Sequence, residues 1–276
     1  MRVGKIILLN TPIGNLGDLT PRVFEALKTG QVFAVEDTRV FRDLLNHLGI
    51  SVGDKKIFSL HDHSGTGQIK KLIELAQGRD LYVASEAGSP VVSDPAYPLV
   101  LGAIEAGLKV ESFSGVSSPI MALELSGLPP IPFQFHGFLP RESSKRKRIF
   151  SEVGSGTHIF FEAPGRIEET MADLVETLPE VSVAIVRELS KKFEEVLRFR
   201  ALAWHELREK MTIKGEFVLL FHVGEGPQSS SKEVRAAAQE LLATGTGPKQ
   251  IAKLLGLILD RPTKEIYSIL TGSKRN

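Results

Sequence analysis

Apolar runs of strand length recur along the first part of the chain, at KIILLN, VFAVE, KIFSL, LYVAS and VESF. Stretches with helical spacing separate them: PRVFEALKTG, VFRDLLNHLG, IKKLIELAQG and PLVLGAIEAG. This alternation predicts a largely parallel α/β sheet. Gly30, Gly49, Gly78 and Gly107 each close a helical stretch and are expected as left-handed C′ residues. Around Ser126 to Phe133 the run SGLPPIPF breaks the rhythm, because three prolines remove backbone donors and favour extended chain. A domain boundary is placed there. Beyond it FQFHGF, THIFFEA, VSVAIVR, VLRFRAL and FVLLFHV predict strands, with helices chiefly at Ile167 to Leu178 and Ala203 to Lys210. A second α/β domain with some antiparallel pairing is expected. Gly224 to Glu233 is rich in Gly, Pro and Ser and predicts a linker. VRAAAQELLATG, GPKQIAKLLG and TKEIYSILTG then predict a three-helix unit. The expected divisions are residues 1–125, 126–226 and 227–276.

Composition narrows the function classes. The 276 residues carry a net charge of +1, so a polyanion site would have to be a local basic patch. Cysteine is absent, which excludes disulfides, thiolate catalysis and sulfur-based zinc sites within this sequence and fits a cytoplasmic protein. No apolar run approaches the roughly 20 residues of a membrane helix. The pair His61 and His63 around Asp62 alternates along an extended segment, with no third cluster to join it, and no metal is expected. In the C-terminal module cations outnumber anions, which fits either an RNA-facing or partner-facing unit or a solvated helical cap.

Neither G-x-G-x-x-G nor the P-loop pattern occurs, so no glycine-loop nucleotide site is read directly. Three loops after strands are nevertheless richer than a connection requires. TPIGNLGDLTP holds Pro12 and an N-cap, Thr20, before Pro21. VEDTR ends a strand on Glu36 and Asp37 and continues to Arg39 and Arg42, an arrangement suited to anchoring a substrate or to charging a helix start. VASEAGSPVVSDPAYP carries two turn signals, GSP and SDP, where one would connect strand to helix; the pair builds either a ledge for a ligand or an idle loop. SKRKR, Ser144 to Arg148, adds a run of cations after Arg141 on a loop or helix start, either a solvated face or a phosphate contact.

Together TPIGNLGD, VEDTR, SEAGSPVVSDPAYP, SGVSS, FHGFLPR, FFEAPGR, RELSKKFEEV and KGEFVLL resemble the ordered motif series of the tetrapyrrole methylase family, in its branch of small-subunit ribosomal RNA methyltransferases. The resemblance runs from about Ile7 to Val223, and the C-terminal helices resemble that branch's helix-turn-helix tail. It implies two α/β domains with S-adenosylmethionine in the cleft between them. It also implies 2′-O-methylation of a cytidine ribose in the decoding region of 16S ribosomal RNA, free or in the assembled small subunit, by a homodimer.

Carried over by motif, the cofactor wall comprises Pro12, Gly88, Ser89, Pro90, Val91, Ser117 and Ser118, opposed by Leu139, Ala163 and Phe217. RNA contacts fall on Arg39, Arg42, Arg141, Lys145, Arg146, Lys147, Arg148, Arg166, Arg187 and Lys191, and catalytic acid–base residues on Glu36, Asp37 and Glu162. The chain departs from the family pattern at Glu86, where Asp is usual, at Ala96, where Gly is usual, and at Val116, where a proline is lost. Two alternatives stand beside this reading: a tetrapyrrole methyltransferase acting on a small molecule, and a noncatalytic RNA-binding protein of ribosome assembly.

Overall fold

Strand β1, Lys5–Leu9, alternates its side chains between two cores: Ile6 faces one and Ile7 and Leu9 the other. It sits inside a five-stranded sheet with β2 (Val32–Val35), β3 (Lys56–Ser59), β4 (Leu81–Ala84) and β5 (Lys109–Phe113), in the order β3-β2-β4-β1-β5. All four pairings are parallel. Helices α1 (Pro21–Thr29) and α2 (Thr38–His47) cover one face through Val23, Leu27, Phe41 and Leu45. Helices α3 (Thr66–Gly78) and α4 (Tyr97–Glu105) cover the other through Leu72, Ala76, Leu99 and Ala103. The computed structural model describes residues 4–61, 63–224, 241–242, 246–258 and 262–271.

The chain leaves β1 toward β2 but leaves β4 toward β5, so the connections from these adjacent strands run in opposite directions. Their carboxyl ends therefore form a switch point, the crevice where open α/β sheets take ligands.

A second sheet has the order β6-β7-β10-β8-β9, from β6 (Phe133–Phe138), β7 (Gly156–Glu162), β8 (Ser182–Arg187), β9 (Glu195–Arg200) and β10 (Phe217–Val223). Only β6 and β7 run parallel; the other pairs are antiparallel. One face packs on α6 (Ser143–Glu152), α7 (Ile167–Thr177) and the short α8 (Trp204–Leu207) through Phe150, Met171, Leu174 and Trp204. The other face takes Ala122 and Leu123 of α5 (Ser118–Ser126), together with Ile13 from the loop after β1. Helix α5, which the boundary at residue 125 assigns almost wholly to the first domain, is thus a wall of the second sheet. Its apolar side matches the alternate residues Ala184, Val186, Val218 and Leu220. Arg198 fastens it, donating through Nε to the Leu125 carbonyl at 3.0 Å.

Met1–Gly224 and Glu225–Asn276 are separate compact units. In the second, α9 (Pro248–Ile258) and α10 (Thr263–Thr271) bury Ile251, Ala252 and Ile266. Helix α9 continues past Gly256 instead of ending on it. The predicted linker beyond Gly224 and most of the first helix of the expected trio lie outside the described residues, as does Asp62.

Two of the four expected left-handed glycines hold: Gly49 and Gly107 have φ of 68° and 70°. Gly30 instead has φ −60°, and Gly78 is the last helical residue of α3. At Gly30 the need is room, since a Cβ there would lie 2.6 Å from the Ala26 carbonyl oxygen and 2.6 Å from the Phe33 ring.

Candidate active site

Three loops meet at the switch point, and backbone hydrogen bonds sew them together. Thr11 and Gly88 form an isolated antiparallel bridge: Thr11 N donates to the Gly88 carbonyl at 2.9 Å and Gly88 N to the Thr11 carbonyl at 3.1 Å. Thr11 and Gly88 are buried, with Gly88 at φ 78°, where a side chain would be strained. Asn10 Nδ2 donates to the Phe113 carbonyl at 2.7 Å, drawing in the loop after β5. There a Cβ on Gly115 would stand 2.5 Å from the Asn10 Cβ and 2.9 Å from its carbonyl oxygen. Gly115→Ala is therefore expected to push the first and third loops apart, costing about 1–3 kcal/mol, with matching losses in denaturant titration and in cofactor calorimetry.

The structure thereby brings Pro12, Gly88, Ser89, Pro90 and Val91 onto one ledge, with Ser117 and Ser118 at the start of α5 on the adjoining loop. Gly88 and Pro90 are buried; Pro12, Ser89, Val91, Ser117 and Ser118 are half-buried. The second turn of the ledge closes with Ala96 N donating to the Pro90 carbonyl at 3.1 Å. Ala96 has φ −80° and is buried, so glycine is not required there; the left-handed residue of that turn is Ser93, at φ 65°.

Beside the ledge, the ends of β2 and β4 enclose a small depression lined by Glu36, Asp37, Glu86, Val40, Phe41 and Leu44. Asp37 caps α2, accepting from the amides of Arg39 and Val40 while its Oδ2 pairs with Arg39 at 2.7 Å. The Arg39 side-chain hydrogen bond, then its amide, holds the Asp37 carboxyl at a pKa of about 2, so Asp37 is a poor proton acceptor. Glu86 moves the other way. Partial desolvation of this otherwise exposed side chain, then the negative charges of Glu36 and Asp37, raises its pKa above the ordinary value. Its amide also donates to Glu36 Oε2 at 3.4 Å.

Glu162 is not available to a substrate proton. Its side chain is fully buried; Oε1 accepts from Ala163 N at 2.8 Å and pairs with Arg166, while Oε2 accepts from Thr170 Oγ1 at 2.6 Å. It shapes the turn after β7 through Ala163. The side chains of Leu139 and Phe217 lie in the core under α6 and α7, on the sheet face away from Ile13, so only their backbone reaches the strand ends.

The cations divide sharply. Arg39, Arg42, Arg141, Lys145 and Arg148 are exposed. Lys145 and Arg148 form surface pairs with Glu142 and Glu152, which cost little to break. Lys147 is half-buried against Glu176. Arg146 contradicts the expectation of an RNA contact: it is 2% exposed, bonded through Nε to Asp173 at 2.7 Å and through Nη1 to the Pro140 and Arg141 carbonyls. The periodicity of α6 explains why, since Arg146, Ile149, Phe150 and Val153 fall at i, i+3, i+4 and i+7 on the packed face. Arg166 donates to the Leu139 carbonyl at 3.1 Å, and Arg187 is held by Glu195 and the Lys214 carbonyl. Lys191 pairs with Glu188 and Glu216 while its methylenes cover Gly14, and Ser190 donates to Asp18 at 2.6 Å. These four tie loops rather than face solvent.

A methyl-donor nucleoside fits this cradle chemically. Glycine backbone and serine hydroxyls line the ledge, apolar Pro90 and Val91 flank it, and the carboxylates of Glu36 and Glu86 suit a cationic sulfonium.

Residues 5–203 match the family described as Tetrapyrrole (Corrin/Porphyrin) Methylases. A protein of Halalkalibacterium halodurans named Ribosomal RNA small subunit methyltransferase I is 38% identical over 277 aligned positions, covering 96% of this chain and 94% of that protein. Among solved structures, uroporphyrin-III-C-methyltransferase of Thermus thermophilus superposes with TM-score 0.56 at 19% identity, covering 79% of this chain and 94% of that one. The Thermus thermophilus uroporphyrin-III C-methyltransferase complexed with S-adenosyl homocysteine superposes at 0.51 with 18% identity, covering 79% and 97%.

Proposed function

The chain belongs to the tetrapyrrole methylase family, and from that premise we propose that it methylates the 2′-hydroxyl of a cytidine ribose in small-subunit ribosomal RNA. It is a methyltransferase that uses S-adenosylmethionine. The observation that carries the RNA substrate is the near full-length relationship to a protein named for that substrate. The exposed cations Arg39, Arg42, Arg141, Lys145 and Arg148 agree with it, because phosphate neutralisation supplies sequence-independent affinity. A soluble cytoplasmic homodimer is part of the same reading; among the described residues no helix is long and apolar enough to cross a membrane.

S-Adenosylmethionine supplies an electrophilic methyl group on a positively charged sulfur. The protein's task is to align a ribose oxygen with it and to take one proton. Alignment contributes most, since effective molarity is worth roughly 7–11 kcal/mol. The stitched ledge of Thr11, Gly88 and Pro90 provides a rigid floor for it. The C–O bond forms as the S–CH3 bond breaks, and the hydroxyl proton passes to a carboxylate. Asp37 is too acidic and Glu162 is fully engaged, so Glu36 and Glu86 are the acceptors in this proposal. Glu86 thereby gains a role that the sequence reading assigned only to Glu36, Asp37 and Glu162.

Incubating labelled S-adenosylmethionine with unmethylated small subunits and with free ribosomal RNA, then mapping the modified ribose, tests the proposal. Label on a base, or none on RNA while a tetrapyrrole is methylated, would reject it. Neutralising Arg141, Lys145 and Arg148 with Arg146 left intact is expected to weaken RNA binding and to flatten its log–log salt dependence by about 0.7 for each lost contact to single-stranded RNA. S-Adenosylmethionine affinity should not change.

A further inference from the structure

Strand β6 carries a bulge. Phe135 pairs with Ile159 and Phe138 with Phe161, so three residues on β6 advance against two on β7. Gly137 takes the left-handed conformation this requires, at φ 73°. Regular alternation would send Phe138 to the sheet face opposite Phe135. With the bulge, both rings meet Phe161, at 4.9 and 5.3 Å between centroids. That is the face holding Ile13 and Leu189, turned toward the loops of the switch point, not the core under α6.

The bulge therefore places a large aromatic ring on the cleft side, and beyond its edge contact with Phe161 most of the ring stays open: Phe138 remains 61% exposed. Its neighbour Gly137 lies against the ledge, since a Cβ there would be 3.5 Å from Ser93 Oγ. Exposed Arg141 follows three residues later, in a segment whose Leu139, Pro140 and Arg141 carbonyls are all held by Arg166 or Arg146. An exposed ring and an exposed cation are thus fixed on one rigid segment beside the methyl-donor ledge. Unstacked nucleotides are recognised by that combination: an aromatic face for the base and a cation for its phosphate.

We propose that Phe138 is a stacking platform for an unpaired nucleobase of the RNA substrate at the mouth of the cleft, with Arg141 on the adjoining phosphate. The proposal rests on the RNA reading above. Its test compares a short single-stranded RNA with an abasic ribose-phosphate oligomer of equal length and charge, by fluorescence anisotropy. The intact protein is expected to prefer the base-bearing strand. Phe138→Ala should weaken that strand by roughly 5- to 150-fold, the range for one stacked base, and leave the abasic oligomer unchanged. Phe138→Trp should restore the preference; Phe138→Leu should not. S-Adenosylmethionine calorimetry on each variant checks the fold.

Equal binding of both oligomers by the intact protein would overturn the platform while leaving an RNA-binding enzyme. Full recovery by Phe138→Leu would reduce the ring to apolar packing and overturn it as well. So would conversion of a dimer to monomers by Phe138→Ala in sedimentation, which would assign the ring to a second copy of the chain. Failure of both oligomers and of ribosomal RNA to bind would overturn the RNA reading together with the platform.

Discussion

Asp173→Ala is expected to destabilise the first unit by about 3–5 kcal/mol, the cost of leaving a buried charge without its partner. Arg146 Nε and Nη2 both meet Asp173 Oδ2 at 2.7 Å, Ser143 Oγ donates to Oδ1 at 2.7 Å, and the Arg146 side chain is 2% exposed. Glu169, 3.8 Å from Arg146 and itself exposed, is no substitute. For a unit of this size the loss corresponds to a fall in Tm of roughly 6–20 °C. Arg146→Met, which removes the cation and keeps much of the stem, still strands Asp173 and the Pro140 and Arg141 carbonyls, and should cost a similar amount. If Asp173→Ala together with Arg146→Met is close to the sum of the two single changes, the pair is not coupled and the buried-pair account fails. Because the guanidinium also holds the segment bearing Arg141, RNA affinity should fall in Arg146→Met well below melting.

The largest effect on chemistry is expected from Glu36→Gln combined with Glu86→Gln: a loss of about 10²–10⁴-fold in the single-turnover methylation rate, the usual contribution of a general base. Binding of S-adenosylmethionine should weaken far less. The sign of the pH dependence follows from the direction of the Glu86 shift. A raised pKa means the carboxyl gains its proton earlier as pH falls, so activity is lost on acidification through that raised value and is kept above it. Glu86→Gln should remove the Glu86 component of this acid limb. Asp37→Asn provides the contrast. Its pKa of about 2 leaves it ionised wherever the enzyme works, so it should alter the start of α2 and the posture of Arg39, with the chemical step unchanged. A rate unaffected in the Glu36, Glu86 double variant would show that alignment alone suffices.

Much of this protein was legible before folding. Apolar runs of strand length and period-3.6 patterns located β1 through β10 and most of the helices, because strands covered on both faces need continuous apolar residues and helices need one apolar stripe, and eight ordered motifs identified the methylase family. The loops after β1 and β4 also announced themselves, by carrying more Gly and Pro than a connection needs, whereas the loop after β5 was marked only by its likeness to a family motif. Tertiary structure decided what each charged group does. Arg146 and Arg148 are two letters apart in one basic run, yet a helix rotates them by about 200°, burying one against Asp173 and leaving the other in water. Glu162 and Glu86 are both glutamates near strand ends, yet one is saturated by Arg166, Thr170 and an amide while the other sits beside like charges. The direction of Phe138 likewise depends on one extra residue in β6, which has meaning only against the register of β7. Period and composition are properties of the chain, whereas protonation, exposure and aim are properties of what the fold brings alongside.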